Sequence, residues 1–351
     1  MAIGVPFSDM KGVGGFTNGE IQRTAGADPT FYRARLFLRQ TWGLGDATAY
    51  RESDQNQLAG RVDGNRFVLT LGNLSVLDIF DGNQYSHDPR RSFMNWSLMT
   101  LGAWDYPADA RGYTWGAAAE YIRPGWALRA GRFLHPRESN GLQLNPQIMD
   151  SYGDVVEYEQ AYRLSEQRGR IRLLAFRNQA RMGSFSAALA ASDLTATVPD
   201  LTATRTPRSK VGFGISAEHD LSNDIGLFLR ASAHDGKTET YAFTEIDRSI
   251  SGGLAFKGAR WKRAEDAAGI AFAINGLSGS HRDYLARGGL GFFLGDGRLS
   301  YRPEQIAETY YSLKAGKFSW ISFDYQHIRN PGYNADRGPA NFFGLRFHAE
   351  I

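Results

Sequence analysis

The chain has 351 residues and a formal charge of only +3, with its 40 basic and 37 acidic side chains interspersed, so no nucleic-acid-binding surface is expected. It has no cysteine, which excludes disulfides, thiolate metal sites and a cysteine nucleophile. No run approaches the roughly 18 apolar residues a membrane helix needs, so an all-β protein remains, either soluble or a membrane barrel.

Residues 1–30 are Gly-rich and polar and read as a loop segment, with the β domain over 31–351. No basic region followed by an apolar one is visible at the N-terminus, so a mature or shortened form is expected. Phe31–Trp42 then alternates: Tyr32, Ala34, Leu36 and Leu38 share one face, and Arg33, Arg35, Phe37 and Arg39 the other. A strand around Phe67, Leu69 and Leu71 follows, reached by an unusually long link from Trp42. Asn73 to Arg111 does not alternate and carries Phe93, Trp96, Leu98, Met99, Leu101 and Trp104, which need burial. Beyond it, strands come in pairs: GYTWGAAAEYI with WALRAGRF, VVEYEQAYRL with RIRLLAF, KVGFGISAEHD with IGLFLRASA, SISGGLAFKG with AGIAFAIN, and ETYYSLKAG with KFSWISFDYQHI. The last strand, NFFGLRFHAEI, sets Phe343, Leu345 and Phe347 against Arg346, His348 and Glu350.

Short links (Arg123–Gly125, Ser165–Arg168, Ser222–Asp224, Ala315–Lys317) alternate with long ones (Asn178–Ser209, Gly276–Gln305). Short turns at one end and long loops at the other mark an outer-membrane barrel, whereas a Greek-key sandwich mixes them. The fold class expected is therefore all-β, an antiparallel transmembrane β-barrel with long inward-folded extracellular loops. The count is about thirteen strands; single-chain bacterial barrels carry an even number, so upstream strands are expected to be missing.

Outward positions are nearly free of charge, with Tyr32, Trp42, Tyr113, Tyr121, Trp126, Tyr158, Tyr162, Tyr311 and Tyr325 placed as an aromatic girdle. Inward positions collect Arg33, Arg35, Arg39, Arg129, Arg170, Arg172, Arg230, Lys257 and Arg346 against Glu120, Glu157, Glu159, Glu218, Glu308, Asp324 and Glu350. Such charges can line a wet lumen and donate to solute hydroxyls. The Arg33–Arg35–Arg39 ladder is the first candidate, with Arg129, Arg172, Glu157, Glu308 and Asp324 beside it. Residues 73–111 are expected inside the lumen as a constriction whose aromatic rings stack on sugars and whose carboxylates and amides bind hydroxyls.

VLTLGNLSVLDIFDGNQYSHDPRRSFMNWSLMTLGAWDYPADARGYTWGAAAEY resembles the signature stretch of carbohydrate-selective porins of the OprB type. LRAGRF, TEIDRSISGGLAFKG and the closing PEQIAETYYSL, DYQHIRNPGYNADRGP and FFGLRFHAEI are similar to the same family, from about Gly14 onward. The resemblance implies a sixteen-stranded outer-membrane barrel that passes sugars by facilitated diffusion and has no catalytic centre. It also implies that Asp78, Asp81, Asp88, Arg90, Asn95 and Trp96 belong to the constriction. Asn73 stands where the family usually has Lys, and Ile351 where it usually ends on an aromatic residue.

The function expected is an outer-membrane porin for mono- or small oligosaccharides in a Gram-negative bacterium. The alternatives are a channel for anionic solutes and a soluble carbohydrate-binding β-sheet module. The seven His are scattered and Asp78/Asp81 read as turn residues, so neither an enzyme nor a metal or cofactor site is expected. Expected partners are small sugars, the lipid bilayer with its lipopolysaccharide, and the barrel-assembly machinery. The oligomeric state, monomer or trimer, stays open.

Overall fold

The computed structural model describes residues 12–19, 32–45, 48–53 and 56–350. In chain order the strands are β1 (Leu36–Gly43), β2 (Thr48–Arg51), β3 (Gly60–Asp63), β4 (Arg66–Leu74), β5 (Thr114–Arg123), β6 (Trp126–Leu134), β7 (Tyr152–Leu164) and β8 (Gln167–Met182). They continue as β9 (Thr206–Ser222), β10 (Ile225–His234), β11 (Arg248–Lys257), β12 (Ala267–Gly276), β13 (Glu304–Gly316), β14 (Ser319–Arg329) and β15 (Ala340–Ala349). All but β2 and β3 join one antiparallel sheet of 13 strands, in which β1 pairs with β4 and each later strand pairs with the next. Thirteen is the number the alternation predicts. Among the described residues β1 and β15 do not pair with each other, so the sheet stays open along one seam.

The tight turns follow from local chemistry. Between β5 and β6, Pro124 leads into Gly125 at φ +93°, which an L side chain rarely adopts. Gly72 has a different reason: a Cβ there would stand 2.3 Å from the Leu36 carbonyl oxygen on β1. The long Trp42–Arg66 link, unexplained by its sequence, is the β2–β3 hairpin, and the Arg39 guanidinium reaches the Asn56 carbonyl oxygen at 3.2 Å.

Two long links also hold helices that the alternation did not reveal: α2 (Phe185–Thr195) and α3 (Gly279–Ala286) follow a one-turn α1 (Trp96–Met99) inside the in-folded segment. Ser184 and Ser278 cap α2 and α3, and Phe185, Ala188, Tyr284 and Leu285 form a small core between them. Strands β8 and β9 run six and four residues past their expected ends. Alternation continues there with Asn178, Ala180 and Met182 buried, but polar outward partners at Arg177, Gln179 and Arg181 hide it from a hydropathy reading.

A core is packed inside the sheet, and a second set of large apolar side chains is exposed on its outward face. Leu38, Phe213, Leu229, Phe272, Phe323, Phe343 and Leu345 are all more than half exposed on the outward face. On β9 the apolar outward set runs from Leu221 to Val211, ten residues of roughly 3.3 Å each. At the usual tilt near 45° that covers roughly the 25 Å apolar band of an outer-membrane barrel. Trp42 packs on Phe67, and Trp126 packs on both Tyr121 and Tyr158, so the expected girdle forms at the short-turn end. Tyr113 is a correction to that girdle. It precedes β5, escapes the strand's alternation and turns into the internal cavity. No helix among the described residues is long and apolar enough to cross a membrane.

Ile215, opposite Leu173 and Ala231 in the middle of this band, tests it. Ile215→Arg is expected to lower stability in lipid vesicles by about 2–4 kcal/mol, while Leu221→Arg near the turn costs about 0–1 kcal/mol. Guanidinium titration of the vesicle-folded protein reads both.

Candidate functional site

A segment folded inside a sheet carries backbone N–H groups that water no longer reaches, and each needs an acceptor. Residues 75–113, between β4 and β5, find them on the inner wall. Glu157 accepts from the Asp81 amide (2.7 Å) and Glu218 from Gln84 (2.7 Å), while Glu308 accepts from Met94 (2.5 Å) and Asn95 (3.0 Å). Asp81 completes the knot: its carboxylate pairs with Arg230 and accepts from the Leu101 amide at 2.6 Å. Further along, buried Asp105 meets Lys210 at 2.8 Å and the amides of Tyr241 and Ala242. Burial alone would raise the Asp105 carboxyl, but the Lys210 ammonium holds it below its ordinary value. Phe80, Trp104, Trp96 and Tyr106 fill the space between segment and wall. The described residues 12–19 run alongside, with Val13 and Phe16 buried and the Trp96 amide bonded to the Phe16 carbonyl.

One half of the interior is thus packed. The other half, against β1 and β4–β8, is an open cavity of about 1350 Å³. Its wall is charged and ordered. Arg129 donates to Glu120 (3.1 Å), Glu157 (2.8 Å) and Glu159 (3.2 Å), and Arg172 to Glu159 (2.9 Å) and Glu218 (3.1 Å). Arg170 lies within 3.7 Å of the last two carboxylates. On the facing side Arg35 grips Asp78 with two hydrogen bonds of 2.8 Å and covers the Tyr113 ring. Arg90 donates to Asp88 at 2.8 Å. Burial would raise the Asp88 carboxyl, but the Arg90 hydrogen bonds and charge keep it below its ordinary value and ionised at neutral pH.

The candidates named from sequence separate into groups. Arg35, Arg39, Arg129, Arg172, Glu157, Asp78, Asp88, Arg90 and Trp96 lie around this cavity. Arg33 does not join them: it stacks over Trp115 in a small outer crevice with Leu142 and Pro146, because β1 begins only at Leu36 and the chain before it leaves the strand's alternation. The ladder therefore has two rungs on the lumen, not three. Glu308, Asp81 and Asn95 are buried and bind the segment to the wall, whereas buried Asp324 accepts from Gln326 on its own strand. Trp96 is 4% exposed and spends one ring face on Phe243, at 4.8 Å, in a stack that includes Tyr106. Half-buried rings beside the cavity include instead Phe37 and Tyr113, each under a guanidinium.

Residues 6–350 match the family described as carbohydrate-selective porin, OprB family. The chain belongs to that family. Among solved structures it is similar to OprB of Pseudomonas putida in its high-pH form, at 19% identity and a TM-score of 0.65 over 81% of this chain and 69% of that one. Lower similarity reaches the DcaP channel of Acinetobacter baumannii (10% identity, TM-score 0.43, 86% and 76% covered) and OmpT of Vibrio cholerae (13%, 0.43, 89% and 88%). No curated protein matches the chain. The OprB-family porin is a carbohydrate channel of the Gram-negative outer membrane, which sets aside the soluble binding module.

Sequence reasoning about this porin missed Arg51, Arg66 and Arg111 on the cavity and the Asp105–Lys210 pair. Arg66 was recoverable, since it lies in phase with the inward Val68 and Thr70; the others depend on loops without periodicity.

Removing the Asp81 carboxylate tests the anchoring. Asp81→Ala leaves buried Arg230 unpaired, a loss of about 3–5 kcal/mol concentrated in the in-folded segment. Single-channel recordings are expected to show higher and noisier conductance while the strand ladder, and hence heat-modifiable gel migration, persists.

Proposed function

We propose that this porin passes mono- and small oligosaccharides by facilitated diffusion along the wall of β1 and β4–β8. The observation that carries the reading is that the guanidiniums of Arg35, Arg129 and Arg172 on this cavity are already held by carboxylates. Arg35 is fixed on Asp78, Arg129 on three glutamates and Arg172 on two. Each guanidinium has five N–H donors, so those left over point in set directions toward a passing hydroxyl. The carboxylates accept hydroxyl protons in turn. Donors already in place cost little ordering when a sugar arrives. Because the pairs also neutralise each other, a sugar meets many hydrogen-bonding partners and no deep electrostatic trap, which suits conduction through several weak sites.

Passage of this kind leaves the sugar chemically unchanged. The apolar outer belt fits a bilayer whose outer leaflet holds lipopolysaccharide, and insertion by the barrel-assembly machinery fits the antiparallel sheet. A monomer and a trimer are both compatible with this channel.

The two arginines that the structure separates supply the test. Arg35→Ala is expected to raise the glucose concentration that half-blocks ion current by about tenfold, the loss of one hydrogen bond from a charged donor. Arg33→Ala, outside the cavity, is expected to leave it unchanged. Equal effects of the two, read in planar bilayers and by liposome swelling, would overturn the assignment.

A further inference from the structure

The cavity's charge is not balanced along its length. Among the described residues eleven arginines line it against six carboxylates, and the ion pairs are unevenly spread. Arg35, Arg90 and Arg91 each have an acid, that of Arg91 being Glu350 beside Phe318 at the short-turn end, and the middle holds the Arg129–Arg170–Arg172 network with its glutamates. Across from the Arg91–Glu350 pair, Arg39, Arg51 and Arg66 hydrogen-bond only to neutral acceptors among the described residues. These are the Thr70 hydroxyl and Asn56 carbonyl for Arg39, the Gln57 amide oxygen for Arg51, and the Asp63 backbone carbonyl for Arg66. None of the three forms an ion pair among the described residues. Arg66 is the most telling: it is 7% exposed, lines the cavity and among the described residues hydrogen-bonds to a backbone carbonyl and to no carboxylate.

We propose that this end of the channel is a binding site for acidic sugars, pyranoses bearing a carboxylate or a phosphate. The proposal rests on the sugar-channel reading and narrows its substrate class. Three guanidiniums crowded at one end of a narrow, low-dielectric passage repel one another, and walls of one sign concentrate the opposite ion there. Rings of arginine are the usual device of anion pores. A guanidinium matches a carboxylate or phosphate through two parallel hydrogen bonds, which a neutral hydroxyl cannot do. The β2–β3 hairpin brings Arg51 over the same opening that Arg39 and Arg66 reach from the adjacent strands β1 and β4, so the cations converge from two sides. The paired network above them handles hydroxyls, which a bare inorganic anion does not need. One molecule with both features, a ring of hydroxyls and one anionic group, uses both zones at once.

Planar-bilayer recordings on the whole chain test this with glucose, glucuronate, glucose 6-phosphate and acetate. Glucuronate or glucose 6-phosphate is expected to half-block the current at about one-tenth of the glucose concentration, the gain of one charge-assisted pair. Which of the two gains more identifies the anionic group. Arg51→Gln/Arg66→Gln is expected to remove that advantage and leave block by glucose unchanged. Arg51→Gln alone, on the exposed hairpin, carries the same expectation in part should the buried Arg66 change impair folding. Equal block by glucose and both acidic sugars overturns the proposal, as does acetate blocking as strongly as glucuronate. Failure of the sugar-channel reading looks different: no sugar, neutral or acidic, then blocks or permeates.

Discussion

Irregular chain inside a β-barrel depends on acceptors for its amides, and in this protein carboxylates projecting from the strands supply them. Glu157, Glu218 and Glu308 each take amides of the 75–113 segment, and Glu304 takes those of Gly14 and Gly332. The same device recurs in the loops, where Glu245 accepts from Phe293 and Leu294, and Glu239 from Gly183. A carboxylate has two oxygens and accepts without needing a donor role, so it can hold two amides of a tight bend at once. Without it the buried amides would stand unpaired at a cost of about 1–3 kcal/mol each. The position of the in-folded segment, and therefore the shape of the cavity beside it, follows from where these acids sit on the wall.

The anchoring divides the lumen. Beneath β9–β14 the segment packs Phe93 against Phe228 and Tyr310, with Leu98, Ile306 and Ile328 closing a dry core. Against β1 and β4–β8 space remains, and the carboxylates that are not holding amides hold arginines. Glu157 does both, accepting from the Asp81 amide on one oxygen and from Arg129 on the other. Loop position and channel electrostatics therefore share a residue, and a change in one is transmitted to the other. Among the described residues the guanidiniums outside ion pairs collect around Arg39, Arg51 and Arg66.

Much of this was legible from alternation alone. Period-2 patterning is a property of neighbouring residues, so it exposed the thirteen strands, their lipid and lumen faces and the need to bury Phe93, Trp96 and Leu98. The same patterning misled where the backbone was not extended. Arg33 and Tyr113 lie just outside β1 and β5, and one irregular residue is enough to exchange the faces. Helices α2 and α3 escaped because short helices packed into a loop core lack a long amphipathic repeat.

By itself, then, the amino-acid order determined strand number, facing and the segregation of an apolar exterior from a charged interior, because these are set by side chains two positions apart. Tertiary structure alone decided which charges are spent and which are available. Glu308 lies 214 residues from the amide it holds at Met94, and Arg230 lies 149 from Asp81. Such pairings depend on how strands and the in-folded segment meet across the lumen, and no local pattern encodes that meeting.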